Sequence, residues 1–564
     1  MVRNSAAALG WVMWAGSLLT SGPAAADSAS AGPHFEVALP VSAQAEPLTG
    51  RVFVLIAHKN VPEVRLQDYW FNSPQFLGRD VKAWRMGEVV RVDETTPGYP
   101  FRSLTQLPSG DYYVQAAMTD FRSYPRADGH TIWALSQWDG QRFLDSPGNL
   151  YSEVQKVHVD GGTSQTIRLA LSHVVPPSSP PKDTEWVRYV RIESRLLSRF
   201  WGRPIYLGAV VLLPKDYASQ PERRYPIIYQ QQAHFDFEPP FGFSAASTKE
   251  SDADRILRES KGYESGYQFY QSWIAGSFPR VIAVALQHPT PYGDLSAAIN
   301  SENNGPYGDA IVTELIPYLE EHFRVRREPQ CRILIGKSAG GRDALALQVH
   351  YPKLFGGAWI FHPWPFNYRR YFVGNIYTQS NAFELGSPVN PLWEFWSSPE
   401  WAPLERAFVR TVDGQLLVTN RDMSRHDQIL WGNGPGGEFG VDDAVNGPRG
   451  DDGYPKRLFD RATGQIDPAV AAYWREHSDL VAYTERNWTR LAPQLSGKLH
   501  FFVGEMDQFY RNYGVHDFEE TLKHLRPAGD ANFEYAPLKG HGWQPMTNAE
   551  LVRRIYKGVN RTDQ

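Results

Sequence analysis

Apolar positions between residues 35 and 173 come in short, partly alternating runs, at Arg51–Ala57, Asp111–Ala117, Ser152–Val159 and Thr166–Leu171. Turn formers such as Pro108-Ser109-Gly110 and Asp160-Gly161-Gly162 separate them. Successive strand side chains point to opposite faces, so this rhythm predicts one β-sandwich domain over 35–173. No catalytic constellation is visible in it. Val174–Pro181 then holds four prolines and two serines, which bars helix and central strand. It predicts a stiff linker over 174–183.

Beyond the linker the pattern changes. The runs at 187–193 and 205–213 predict a hairpin. Fully apolar runs follow at Pro226–Tyr229, Val281–Leu286, Arg332–Gly336, Gly357–Phe361 and Leu499–Val503. Amphipathic segments lie between them. In Gly308–Phe323, residues Ile311, Val312, Leu315, Ile316, Leu319 and Phe323 share one helical face. Apolar strands alternating with such helices predict a mostly parallel sheet covered on both sides, over 184–560. The alternation breaks at 363 and resumes near 498. The segment 363–497 is rich in Gly, Pro and aromatics, including Trp364, Phe366, Tyr368, Tyr371, Phe372, Trp393, Phe395, Trp396 and Trp401. Its length and position predict an inserted lid. A surface excursion packed on the β-rich domain is the alternative.

Composition narrows the functional classes. The net charge of −5, without a Lys/Arg-dense run, gives no electrostatic case for nucleic acid. The single cysteine, Cys331, excludes an intrachain disulfide and cysteine-built metal sites. Arg3, the apolar stretch Ala6–Leu19 and Ala24-Ala25-Ala26 read as a cleavable export signal over 1–26. The expectation is a secreted or periplasmic protein with no membrane span after cleavage.

The sharpest chemical signal is Gly336-Lys337-Ser338-Ala339-Gly340-Gly341, between an apolar strand and the helical run Asp343–His350. This is the context of a nucleophile elbow. Its tight turn leaves no room for side chains at Gly336 and Gly340 and holds the serine outward. The N–H of Ala339 then faces a developing oxyanion at the helix start. A serine needs a base and an orienting acid, which follow it in the order acid, then histidine. Asp507, just past Leu499–Val503, is the candidate acid, with Glu505 as competitor and Asp517 read as a solvated helix charge. His541, between Gly540 and Gly542, is the candidate base. His288 reads as structural, and His516 and His524 fall in a helix. A second oxyanion N–H is expected after Pro226–Tyr229, at Ala233 or His234. Lys337, Arg342, His362 and Trp364 are weaker substrate-contact candidates. Asp442, Asp443, Asp451 and Asp452 read as turn caps rather than a calcium site. No metal or cofactor is expected.

Four stretches resemble the putative-esterase branch of the α/β hydrolases, the group of esterase D, enterochelin esterases and feruloyl esterases. They are Arg224–Tyr229, Glu314–Glu320, the elbow with Tyr351–Gly357, and Gly540-His541-Gly542. The resemblance covers roughly 187–362 and 498–558. It implies an α/β-hydrolase fold with Ser338, Asp507 and His541 as nucleophile, acid and base. The branch commonly has His-Gly where this chain has Gln232-Ala233, and the 363–497 segment exceeds that of a typical member. The expected activity is hydrolysis of a small-molecule or polymer-linked carboxylic ester. Acyl transfer or peptide cleavage by the same residues, and a carbohydrate-binding inactive scaffold, are the alternatives.

Overall fold

The computed structural model describes residues 32–40, 46–67, 73–138, 140, 143–160, 163–179, 181–232, 234–247, 249–294, 296–384, 405–432, 434 and 436–561. The export-signal segment 1–26, Ala233 and the tryptophans at 393, 396 and 401 lie outside the described residues. Among the described residues, no helix is long and apolar enough to cross a membrane.

An eight-stranded sheet organises the molecule. Its spatial order is Val187–Glu193, Tyr206–Leu212, Ile282–Gln287, Ile227–Gln231, Arg332–Lys337, Gly357–Phe361, Leu499–Gly504 and Ala531–Ala536. Tyr206–Leu212 is antiparallel to both its neighbours, and all the other pairings are parallel. This mixed, mostly parallel order is that of an α/β hydrolase. The inner strands are apolar throughout because both faces are covered, and alternate residues feed two cores. Tyr229, Val284, Leu334, Ile360 and Phe501 enter one core. Ile228, Ala283, Ile333, Phe361 and Phe502 enter the other. The first core is closed by Ala339–His350, Leu480–Leu495 and Arg511–His524, the second by Gly266–Trp273 and Asn548–Arg561. The hairpin anticipated at 187–213 contains a short helix, Arg195–Trp201, capped by Ser194.

The chain before the linker forms two sheets around one shared core. Phe35, Val37, Ile167 and Leu169 come from a three-stranded sheet, and Val52, Val54, Ile56, Val114 and Met118 from a seven-stranded one. Leu48–Ala57 is buried at every position. Its opposite face, Phe53 and Leu55, packs on Ile429 and Leu430 of the helix Asn420–Trp431. The linker does not hold the halves apart. Val174 pairs with Leu150, and Val175 exchanges backbone hydrogen bonds with Gly148 and Asn149. The hairpin Arg122–Pro125/Thr131–Ala134 places Tyr124, Ile132 and Ala134 in the hydrolase core.

Within 363–497 the aromatics largely form a core of their own, including Phe372, Phe408, Phe439, Phe459 and Trp474. Leu480, Val481, Trp488 and Leu491 instead belong to the main core. The helix Leu480–Leu495 is thus part of the layer on the sheet, and the excursion returns to it near residue 479.

Candidate active site

The strands Arg332–Lys337, Leu499–Gly504 and Ala531–Ala536 are parallel members of one sheet, so their carboxyl ends lie along one edge. Ser338, Asp507 and His541 follow those three ends, and chain direction alone gathers them. Ser338 stands at φ 53°, ψ −121°, between the strand and the helix Ala339–His350. This backbone is unfavourable for an L-residue by roughly 1–3 kcal/mol and persists only where the surroundings over-determine it. Here the Ser338 N–H donates to Phe361 O (3.0 Å), and its carbonyl accepts from Trp364 N–H (2.8 Å) and Gly341 N–H (2.9 Å). A Cβ at Gly336 would collide with the Gly340 carbonyl, and one at Gly340 with the Gln231 carbonyl. The elbow helix therefore presses on the end of Ile227–Gln231, which sets the following loop beside the serine.

Asp507 is fully buried. Its Oδ1 accepts from the N–H groups of Phe509 (2.8 Å) and Arg511 (3.3 Å). Its Oδ2 lies 2.8 Å from His541 Nδ1. An ionised carboxylate only accepts, so this contact assigns the Nδ1 proton and leaves Nε2 as the ring's acceptor. Burial pushes the Asp507 carboxyl upward, but the His541 charge and hydrogen bond, with Arg511 and Phe509 N–H, hold it below its usual value. The His541 N–H donates to Gln508 Oε1 (2.6 Å), and its ring meets those of His362 (4.5 Å) and Phe509 (4.9 Å) edge-on.

A cavity of about 330 Å³ adjoins the elbow at Ala339, between the sheet edge and the inserted segment. His234, Arg342 and Trp364 line it. The His234 side chain is exposed, and its pKa is raised by a hydrogen bond to Asp294. Arg342 is buried against Asp442 (3.5 Å), Tyr368 Oη (2.8 Å) and Asn446 Oδ1 (2.6 Å). Its partner is Asp442 rather than the adjacent Asp343. The substrate contact anticipated for Lys337 has no counterpart in the lining of this cavity. The Lys337 ammonium sits 4.1 Å from the Tyr263 ring centre and 3.5 Å from Asn548 Oδ1, and burial pushes it down to about 7. His362 is likewise absent from the lining. It is buried against His541, and desolvation with the His541 charge pulls its pKa well down.

The competing groups have other partners. Glu505 accepts from Asn512 Nδ2 (3.2 Å) and contacts His516 Nε2 (3.0 Å). Asp517 binds Asn367 and Arg369. His524 lies against the Glu520 carbonyl. His288 is buried between Ser296 and Gln231. Asp442 and Asp443 are not turn caps: they lie in the helix Glu438–Asn446 and pair with Arg342 and Arg461. Asp452 does cap a turn, at Tyr454 N–H (3.0 Å). Among the described residues no group of three or more His, Cys, Asp or Glu side chains could hold a metal ion. Arg511 was not visible as a site residue. Its buried guanidinium lies over the Trp364 ring (4.3 Å) and acts on Asp507. Its only sequence signal is its place four residues after the acid.

Uncharacterized protein YbbA of Bacillus subtilis (strain 168) is 42% identical over 50 residues, which are 9% of this chain and 20% of that protein. A solved ferulic acid esterase is 14% identical, over 66% of this chain and 97% of its own, with a TM-score of 0.33. An S-formylglutathione hydrolase from Agrobacterium tumefaciens is 11% identical, over 66% and 92%, with a TM-score of 0.31. Scores this low carry no weight, and the fold rests on the strand order above. Residues 206–449 match the family described as Putative esterase.

Proposed function

We propose that the protein hydrolyses carboxylic esters with Ser338 as nucleophile, His541 as general base and Asp507 as the orienting acid. The observation that carries this reading is the strained Ser338 elbow sharing a sheet edge with the hydrogen-bonded Asp507–His541 pair. Ser338 Oγ attacks the ester carbonyl while His541 Nε2 takes its proton. The tetrahedral oxyanion is met by the Ala339 N–H and a second N–H from the loop at Ala233–His234. Collapse breaks the carbonyl–alkoxy bond, and His541 returns the proton to the departing alcohol. Water then cleaves the acyl-enzyme with the same proton relay, releasing the acid and free Ser338. Asp507 stays ionised and holds the imidazole in the useful tautomer.

The inserted segment acts as a lid over the site, resting on the β-rich unit through Asn420–Trp431. The two-sheet unit before the linker serves as a sandwich-type support, and the protein works outside the cytoplasm after loss of residues 1–26. The test is a panel of p-nitrophenyl esters with wild type and Ser338→Ala. Turnover by wild type and a loss of several orders of magnitude in the variant is expected. Equal rates from two folded proteins would overturn the reading.

A further inference from the structure

We propose that the cavity beside Ser338 binds an ammonium group carried by the substrate. This rests on the esterase reading for the step that follows binding, but the cavity's chemistry stands apart from it. Five carboxyl side chains line it: Asp294, Asp343, Asp427, Glu438 and Asp442. They come from three regions of the chain, namely the loop after Ile282–Gln287, the elbow helix and the inserted helices. Two basic side chains share the lining: Arg342, already engaged by Asp442, Asn446 and Tyr368, and His234, paired with Asp294 at 3.3 Å. Asp343 is 1% exposed, and its Oδ2 has no hydrogen-bond partner. His288 Nε2, 3.6 Å from it, also faces Gln231, and burial pulls this imidazole down to about 4, leaving it neutral. A buried carboxyl oxygen without a partner is costly, and a cation in the cavity would satisfy it.

The remaining walls suit the same guest. Trp364, Trp431, Tyr292 and Phe143 contribute rings to the lining. Aromatic faces attract cations through their quadrupoles, most strongly where water is excluded. The volume falls at the lower end of small-ligand sites, roughly 300–1,000 Å³. Burial pushes Asp343 and Glu438 to about 8 and Asp427 to about 7, outweighing the opposing pull of Arg342 on Asp343, of Arg511 and His234 on Glu438, and of Arg461 on Asp427. A bound ammonium adds positive charge at the carboxyls and favours their ionised forms. An anionic substrate arm would meet five carboxyls instead, and so is disfavoured.

The probes are choline and its uncharged isostere 3,3-dimethylbutan-1-ol, titrated into the full-length Ser338→Ala protein by calorimetry. Choline is expected to bind at least tenfold more tightly, and equal affinities would overturn the assignment. In parallel, wild type is assayed with acetylthiocholine and S-(3,3-dimethylbutyl) thioacetate. The expected kcat/KM ratio is at least tenfold in favour of the cation, and Glu438→Gln should narrow it. A ratio within one variant is insensitive to how much of that variant folds. A ratio near one, with both thioesters still cleaved in a Ser338-dependent manner, would sink the ammonium site and leave the esterase reading intact. Selective choline binding without turnover of any ester would do the reverse.

Discussion

The Ser338 backbone is a local conflict between stability and placement. Glycine tolerates φ 53° with little strain, so Ser338→Gly should be more stable than wild type by about 1 kcal/mol in urea unfolding, with no ester turnover. A loss of stability would show that the turn is not strained. Asp507 and Asp343 illustrate opposite signs of proton linkage. Asp507 is held below its usual value, so its contribution is present above the unfolded carboxyl value of about 3.9 and is lost as pH falls through the folded one. Asp343 is pushed up to about 8, so its contribution is full below about 3.9 and is lost as pH rises through 8. Melting temperature should therefore fall less steeply between pH 6 and 9 in Asp343→Asn than in wild type. Parallel profiles would contradict this. For catalysis, Asp507→Asn keeps the ring in place but reverses its tautomer preference, and should lower kcat by roughly 10³- to 10⁴-fold.

At the level of elements, the elbow strand, its turn and its helix were legible because their signals are local: an apolar run, glycines at both sides of Ser338, then a helical face. The Asp507–His541 pair was legible as an acid just past the apolar run Leu499–Val503 and a histidine between Gly540 and Gly542, in the order Ser, Asp, His. The five-carboxyl cavity was not, because Asp343 and Asp427 become neighbours only through tertiary packing. The double burial of Leu48–Ala57 was hidden for the same reason, since its second face is covered by a helix over 370 residues away. Arg51 secures that contact. Its Nε donates to Ile429 O (2.8 Å) and its Nη2 to Gln428 O (3.3 Å), while Nη1 pairs with Asp80 (2.5 Å). These carbonyls lie in the last turn of the helix that carries Asp427 and Trp431 into the cavity. Arg51→Ala should lower stability by about 2 kcal/mol and raise KM more than it lowers kcat. An unchanged KM would mean that the helix holds its place without Arg51.

At the scale of the whole molecule, a sequence that reads as two domains joined by a proline linker folds with shared cores. Tyr124, Ile132 and Ala134 fill space in the hydrolase core, and Gln137 Nε2 donates to Pro289 O (2.7 Å) and Tyr206 O (2.9 Å). A protein beginning at residue 184 would expose that core and should aggregate or melt far below the full chain. Soluble material with full ester turnover would show that the front half is dispensable. The central claim, that Ser338 is an activated nucleophile, is tested most directly by covalent capture. A fluorophosphonate added to the folded full-length protein should phosphonylate Ser338, as read by peptide mass spectrometry, and His541→Ala should slow the labelling sharply. Folded protein that stays unmodified at Ser338, or that labels equally fast without His541, would contradict the account.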